Sequence, residues 1–462
     1  MPVETKHPAL TVDRLSEYKL MRDAFDGESA IKASGTVYLP MPSGFKSQKD
    51  GGAAIYNAYR ERAQFPEILA PTISAMVGIV HAKEIDIEIP TGMEYLWDRA
   101  TTDGLSLEAF HRRITFNLLH LGRYGVLADA PQGGGEPYLA GYAGDVIINW
   151  ETDGSFFVID DSGMVRDGYD WARQDRYIVL RMNGAYEMIE VTGKDKTEIS
   201  RTMTPTRQGG FALSRIPFVV GNARDITPNV SPPPLIGVSR AAKAIYQLSA
   251  DYRWQLFMSG QETLVAINGD APAQIGAGVA HSMIGSDGVT PDLKYVSPSC
   301  SGIEAHKVAM DDNRAAAVMS GAKMIEQEQG SSNESGYARK LRLAGETATL
   351  STVSKVSCEM LERSLRNIAM MQGLPDSAQS AITVRPPETL MDTTLTPQEV
   401  KSLVESWQAG GFAYRTLYEN LQRGGIANPE REVEDELVEM DDDPEAIRQA
   451  QLDAVQNQIP AA

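Results

Sequence analysis

Closely spaced carboxylates are the groups in this chain whose types and spacing best suit chemistry. Glu84, Asp86 and Glu88 alternate in EIDIEI, so a strand there places all three on one side. That is a donor set of the kind a hard divalent cation takes. Asp311–Asp312 and Asp441–Asp443 are further candidates, and together they define a carboxylate-metal hydrolase reading. None has a histidine or further aspartate at ligand spacing beside it, so a half-buried strand edge and solvated faces account for them better. His111 and His120 flank one predicted helix nine positions apart rather than four, and a hydrogen-bonded structural histidine is the simpler reading of each. The glycine-rich QGGGEP (132–137) and IGAGVAH (275–281) neither follow a strand nor open a helix, and no GxxxxGKS/T, GxSxG or HExxH motif occurs. No metal, no cofactor and no enzymatic activity are expected.

The elements that would hold such groups follow a definite order. Amphipathic helices are predicted at 13–25 (with Asp13 as N-cap), 55–65, 67–81 and 105–121, after which the chain changes character. Short β-type runs at 124–130, 145–150, 155–159, 177–182 and 185–191, broken by TDG, DSG and NG, predict an antiparallel meander. The proline-rich 222–237 reads as a hinge. Helix 235–259, an insert with strands at 262–267 and 293–296, and helix 304–325 come next. A polar loop then leads into a proline-free helical pattern reaching Gln372, its apolar stripe running from Leu341 through Val353, Met360 and Leu365 to Met371. Such a rod would be roughly 55 Å long. Its opposite face is Thr, Ser, Glu and Arg, so the expectation is a helix that packs against copies of itself rather than inside a private core. A strand at 381–385, helices at 397–408 and 414–425, and an acidic tail end the chain. The fold class is α+β, and no internal repeat is present.

A length of 462 residues predicts at least two structural units. The two cysteines, Cys300 and Cys358, have neither disulfide-framework nor zinc spacing. The N-terminus carries no signal-peptide pattern and no window reaches eighteen apolar residues, so a reducing interior and no membrane are expected. The net charge is −19; from Glu388 onward sixteen acids stand against five bases, concentrated in Glu430–Glu445, which reads as a solvated tail. An acidic chain does not grip nucleic acid through counterion release, but it can surround it.

Four segments resemble the portal (head–tail connector) proteins of tailed bacteriophages, in particular a family typed only as a phage domain of unknown function. They are RDAFDGESAIKASGTVYLP (22–40), PPLIGVSRAAKAIYQLSADYRWQLFMSGQETLVAING (233–269), SNESGYARKLR (332–342) and LVESWQAGGFAYRTLYENLQRGGI (403–426). The resemblance implies a wing at 1–234 and two stem helices at 235–259 and 304–325. It further implies a small α/β clip at 260–303, a tunnel loop at 326–335, a long wing helix at 336–373 and a crown with acidic tail at 374–462. Its implied partners are copies of itself in a ring, usually of twelve, with double-stranded DNA passing through without sequence specificity. The terminase large subunit, the head–tail adaptor and the major capsid protein would be the others, in the virion at the portal vertex and in the host cytoplasm during assembly. The chain is short for a portal, so no long barrel beyond the crown is expected. Another phage head or tail structural protein, such as a minor head or adaptor component, is the alternative.

On that resemblance Glu326, Gln327, Glu328, Gln329, Gly330, Ser331, Ser332, Asn333 and Glu334 line the DNA channel. Short polar and acidic groups suit a sliding polyanion, because one firm phosphate contact per subunit, multiplied around a ring, would hold DNA with a steep salt dependence. Arg339, Lys340 and Arg342 would supply phosphate contacts or salt bridges to a neighbouring subunit, and both readings stay open. Asp270, Asp287, Asp292 and Lys294 fall in the clip, the implied docking face for motor and adaptor.

Overall fold

Thr11 opens the first helix. Its hydroxyl accepts the Arg14 amide at 3.3 Å, so the N-cap of α1 (Val12–Asp26) is Thr11 and not Asp13. The computed structural model describes residues 2–131, 134–192, 198–260, 263–269, 288–296, 302–321, 336–387, 390, 397–428 and 431–442. They divide into two units, Met1–Pro387 and Glu388–Ala462. Gly27, at φ +91°, ends α1 and starts α2 (Glu28–Ala33), within a stretch the sequence reads only as connector. There follow α3 (Ala53–Arg62), α4 (Leu69–Val80), β1 (Asp86–Glu88), the single turn α5 (Tyr95–Asp98) and α6 (Leu107–His120).

The β region is β2 (Arg123–Asp129), β3 (Tyr138–Ala143), β4 (Ile147–Trp150), β5 (Phe156–Asp160), β6 (Gly163–Asp167), β7 (Asp170–Gln174), β8 (Arg176–Asn183), β9 (Ala185–Thr192), β10 (Glu198–Met203) and β11 (Phe218–Asn222). It is not one meander. An antiparallel five-stranded sheet runs β10-β9-β8-β5-β4, a three-stranded sheet runs β11-β2-β3, and β6-β7 stand apart as a hairpin. The two sheets meet face to face through Phe218, whose ring lies edge-on to Phe157 and Tyr142 with centroids 5.0 and 6.1 Å away. Gly125 makes room for this, since a Cβ there would fall 2.4 Å from the Phe218 ring. The outer face of the larger sheet packs Ile148, Val158, Tyr177, Ile189 and Val191, with Val3 of the N-terminal arm against them. His7 stacks on Trp150 at 3.9 Å and the buried Arg123 guanidinium lies 4.0 Å from the same ring centre. Two groups at those distances cannot share one face, so the indole is sandwiched.

Next come α7 (Ile236–Ser259), β12 (Thr263–Ile267), β13 (Asp292–Val296), α8 (Ile303–Met319), α9 (Gly336–Met371), α10 (Asp376–Ser380) and β14 (Thr383–Arg385), the last pairing with β1. The second unit holds α11 (Pro397–Gln408), α12 (Tyr414–Arg423) and α13 (Val433–Asp442), with Leu417, Tyr418 and Val433 buried. Part of the acidic run is therefore helix, anchored by Val433, with Glu432, Glu434 and Asp435 still exposed to solvent. The fold is α+β.

Two expectations fail for physical reasons. The proline-rich 222–237 is not a hinge. Asn222 donates to Asp225 at 2.7 Å and Thr227 at 3.1 Å and accepts the Arg224 amide, while Gly122 lies so close to Pro232 and Pro233 that a Cβ would be 3.0 Å from the Pro233 Cα. More importantly, the C-terminal half of α9 is enclosed by its own chain. Leu350, Val353, Met360, Leu361, Leu365 and Ile368 are buried, and so are Ser354, Ser357 and Ser364, which belong to the face read as polar. Ser357 and Ser364 turn back to the carbonyls of Ser354 (2.9 Å) and Met360 (2.7 Å), which removes the cost of burying their hydroxyls. Gly221 lets β11 approach the helix, because a Cβ there would lie 2.5 Å from Met360 Sδ. The packing predicts that Leu361→Ala, measured by denaturant unfolding, lowers stability by about 2–5 kcal/mol.

His111 ties α6 to α9 through Ser357 Oγ at 3.1 Å and stands edge-on to His81 at 4.9 Å, with His81 in turn 3.0 Å from Thr115 Oγ1. Burial lowers His111 to about 3 and, with the nearby Arg112 charge, His81 to about 4. The unfolded chain takes up a proton at His111 near pH 6.5 and the folded chain does not, so stability falls as pH drops from about 6.5 towards about 3. Unfolding free energies measured across that window should decline by up to ~1.4 kcal/mol per pH unit from this group, and His111→Gln should flatten the slope.

Candidate functional site

The helix pair α7 and α8 with the β12–β13 hairpin between them forms an arm. Its root is built from aromatic side chains. Trp254 of α7 lies 5.9 Å from Tyr59 of α3 and 5.5 Å from Phe45, and the Arg62 guanidinium sits 3.8 Å over the Phe257 ring. Tyr59 donates to Asp251 at 2.6 Å, and Ser249 both accepts the Gln64 amide at 2.9 Å and donates to its carbonyl at 2.8 Å. Buried positions on α7 run from Ile236 to Ala250 and then stop, while α8 buries only Met310 and Ala317. The two helices run close together where Gly237 meets Ser320, with a would-be Cβ 2.7 Å from its hydroxyl.

Beyond the root the arm shows apolar surface. Of twenty large hydrophobic residues exposed among the described residues, nine lie on it, including Met258, Val265, Tyr295, Val296, Val308 and Met319. In the hairpin, Leu264 and Ala266 share one face with Leu293 and Tyr295, and Val265 and Ile267 share the other with Val296, Lys294 and Asp292. The first face is apolar and the second is mixed, and an isolated two-stranded hairpin is marginal in water. Four more exposed hydrophobics, Met164, Val165, Tyr169 and Trp171, sit on the β6–β7 hairpin.

The residues singled out from the sequence fall in three groups. Glu326 to Glu334, Asp270 and Asp287 lie outside the described residues. Arg339, Lys340 and Arg342 lie in the first turns of α9, where only the backbone is described. Asp292 and Lys294 stand two apart on β13 and pair with each other at 2.9 Å, which lowers the aspartate and raises the lysine. They are not bare charges awaiting a partner. The carboxylate candidates pair similarly: Asp86 with Arg385 at 3.3 Å, Glu88 with the Thr383 hydroxyl at 3.1 Å, and Asp311 with Arg314. Among the described residues no group of three or more His, Cys, Asp or Glu is arranged to hold a metal. His111 and His120 are buried, the latter donating to the Met21 carbonyl at 3.0 Å. Cys358 is buried in α9, its thiol pushed up to about 12 by burial. No helix among the described residues is long and apolar enough to cross a membrane.

Sequence reading named polar and charged residues and none of the exposed apolar ones. The signal was present in TLVAI, where apolar side chains follow one another instead of alternating, as in a strand covered on both faces.

A family profile described as "Domain of unknown function (DUF4055)" matches residues 234–372, the span of the arm and α9. No curated protein matches the chain. Among solved structures it is similar to a chain of the neck of a native GTA particle computed with C12 symmetry. Identity there is 14%, with 77% of this chain and 89% of that chain covered and a TM-score of 0.38. It is also similar to a chain of the virion of a native gene transfer agent particle, at 14% identity, 86% and 98% coverage and a TM-score of 0.37. The neck of an empty GTA particle computed with C6 symmetry gives 12%, 77% and 90%, and 0.36. Scores of this size establish no shared role.

Proposed function

We propose that this chain is a portal protein, a subunit of a twelve-membered ring at one capsid vertex through which DNA enters and leaves. The observation that carries the reading is the arm: two paired helices and a hairpin whose apolar residues its own chain leaves uncovered. Apolar surface of this extent, spread over both helices and the hairpin, calls for a neighbour. A ring supplies one on each flank of every subunit by head-to-tail contacts that close.

In this reading 1–234 and 336–373 form the wing, and α7 and α8 are the stem crossing the capsid wall. Residues 260–303 form the clip that meets the terminase large subunit and then the head–tail adaptor, and 374–462 form the crown. Glu326–Ser335 faces the channel, where short polar and acidic side chains offer DNA no deep binding minimum. The net charge of −19 acts in the same direction, keeping the duplex from adhering to the wall. The protein guides and docks, and performs no chemistry.

Light scattering of the purified chain should give an integral multiple of 50.4 kDa, and negative-stain images should show rings with an axial hole. A monomer across salt and concentration would sink the proposal. Shortening Glu328–Asn333 should leave the ring intact and reduce the DNA retained per particle; loss of the ring would remove the loop from the channel.

A further inference from the structure

The β6–β7 hairpin and the space between the two sheets fit each other chemically. All ten strand residues of the hairpin are exposed, Tyr169 at its tip completely and Trp171 at 59%. Its register, Met164 opposite Arg173 and Arg166 opposite Trp171, gathers two arginines, an indole and a thioether on one face. Gly163, Val165, Ala172 and the two aspartates of the turn take the other. Arg166 donates through Nε to the Gly168 carbonyl at 2.7 Å, which holds its guanidinium beside the turn, and Arg173 reaches Asp175 only at 3.7 Å. Trp, Tyr and Arg are the side chains that dominate protein–protein contacts.

The complementary feature is a cleft of about 1060 Å³ between the inner faces of the two sheets. Four carboxylates line it, Asp129, Glu136, Asp161 and Glu190, against Arg176 and Arg207. Arg176 is paired with Asp161, and Glu136 with Arg99 at 3.1 Å. Met188 also lines it, and Tyr186, on the same strand face, buries a hydroxyl that has no hydrogen-bond partner among the described residues. Burial, with the Glu190 charge behind it, raises Asp129 and Asp161, a cost to their charged forms that an incoming cation would offset.

We propose that the hairpin of one copy inserts its Met164, Arg166, Trp171 and Arg173 face into the inter-sheet cleft of the next copy. In its own chain no residue of the hairpin lines the cleft, although Asp161 and Arg176 beside its root do. Knob and hole are different residues, so a copy that gives its hairpin to one neighbour and its cleft to another makes a head-to-tail contact that propagates around a ring. The inference rests on the ring reading and adds to it a second lock, distant in sequence from the arm.

Disulfide trapping tests it in full-length chains carrying Cys300→Ser, with Cys358 buried and inert. One chain carries Trp171→Cys and the other Glu190→Cys. Oxidation of the mixture should give a linked pair of twice 50.4 kDa, absent from either chain alone. Adding Arg166→Glu and Arg173→Glu to the hairpin chain should lower the yield about tenfold. Linkage only within a chain carrying both cysteines, or between two Trp171→Cys chains, would overturn the proposal. An oligomer of undiminished mass with no linkage at all would overturn it while leaving the ring reading intact. A chain that stays monomeric throughout would end both.

Discussion

The stretch of α9 from Leu350 to Met371 sits where α4, α6 and the strands β2, β11 and β14 converge, and the larger unit is organised on it. The helix satisfies Ser357 and Ser364 on its own backbone and holds His111 through Ser357, and its Asn367 accepts from Arg215 at 3.1 Å. A helix so enclosed cannot also lend that face to another subunit. Whatever joins copies of this chain must therefore lie elsewhere.

That constraint moves attention to the two projections. The arm and the β6–β7 hairpin together hold thirteen of the twenty exposed large hydrophobics among the described residues. The arm is fastened at its root by Trp254, Tyr59 and the Ser249–Gln64 exchange, and past Ala250 its burial ends. A rigid root with an uncovered distal part is the arrangement expected of an element that one subunit positions and its neighbours complete. Aromatic anchors also hold such an element in place before assembly, which limits the ordering cost of association.

Much of this order was legible in the sequence, because α7, α8, α11 and strands β5, β8 and β9 carry clean periodicity. The helix α8 was read too long: Gly321, at φ +130° and within 2.8 Å of the Leu235 side chain from a would-be Cβ, marks its end. The β6–β7 hairpin escaped although DG at 167–168 is a strong turn signal, since its strands have no buried face to give them alternation. The environment of α9 was misread for a subtler reason. Hydrophobic periodicity treats serine as solvent-facing, yet Ser357 and Ser364 are buried because each hydroxyl bonds to its own helix. At the candidate site Asp292 and Lys294 pair with each other, and the exposed large residues beside them on the arm are apolar, which a search for charged groups does not pick out.

Hydrogen–deuterium exchange, compared between dilute monomer and assembled particle, addresses the central claim most directly. The account predicts strong new protection in β12, β13 and the distal ends of α7 and α8. It also predicts little change between Leu350 and Met371, which are already enclosed within each subunit. Protection gained along α9 with none on the arm would contradict it, returning the rod to the interface and leaving the arm without a partner.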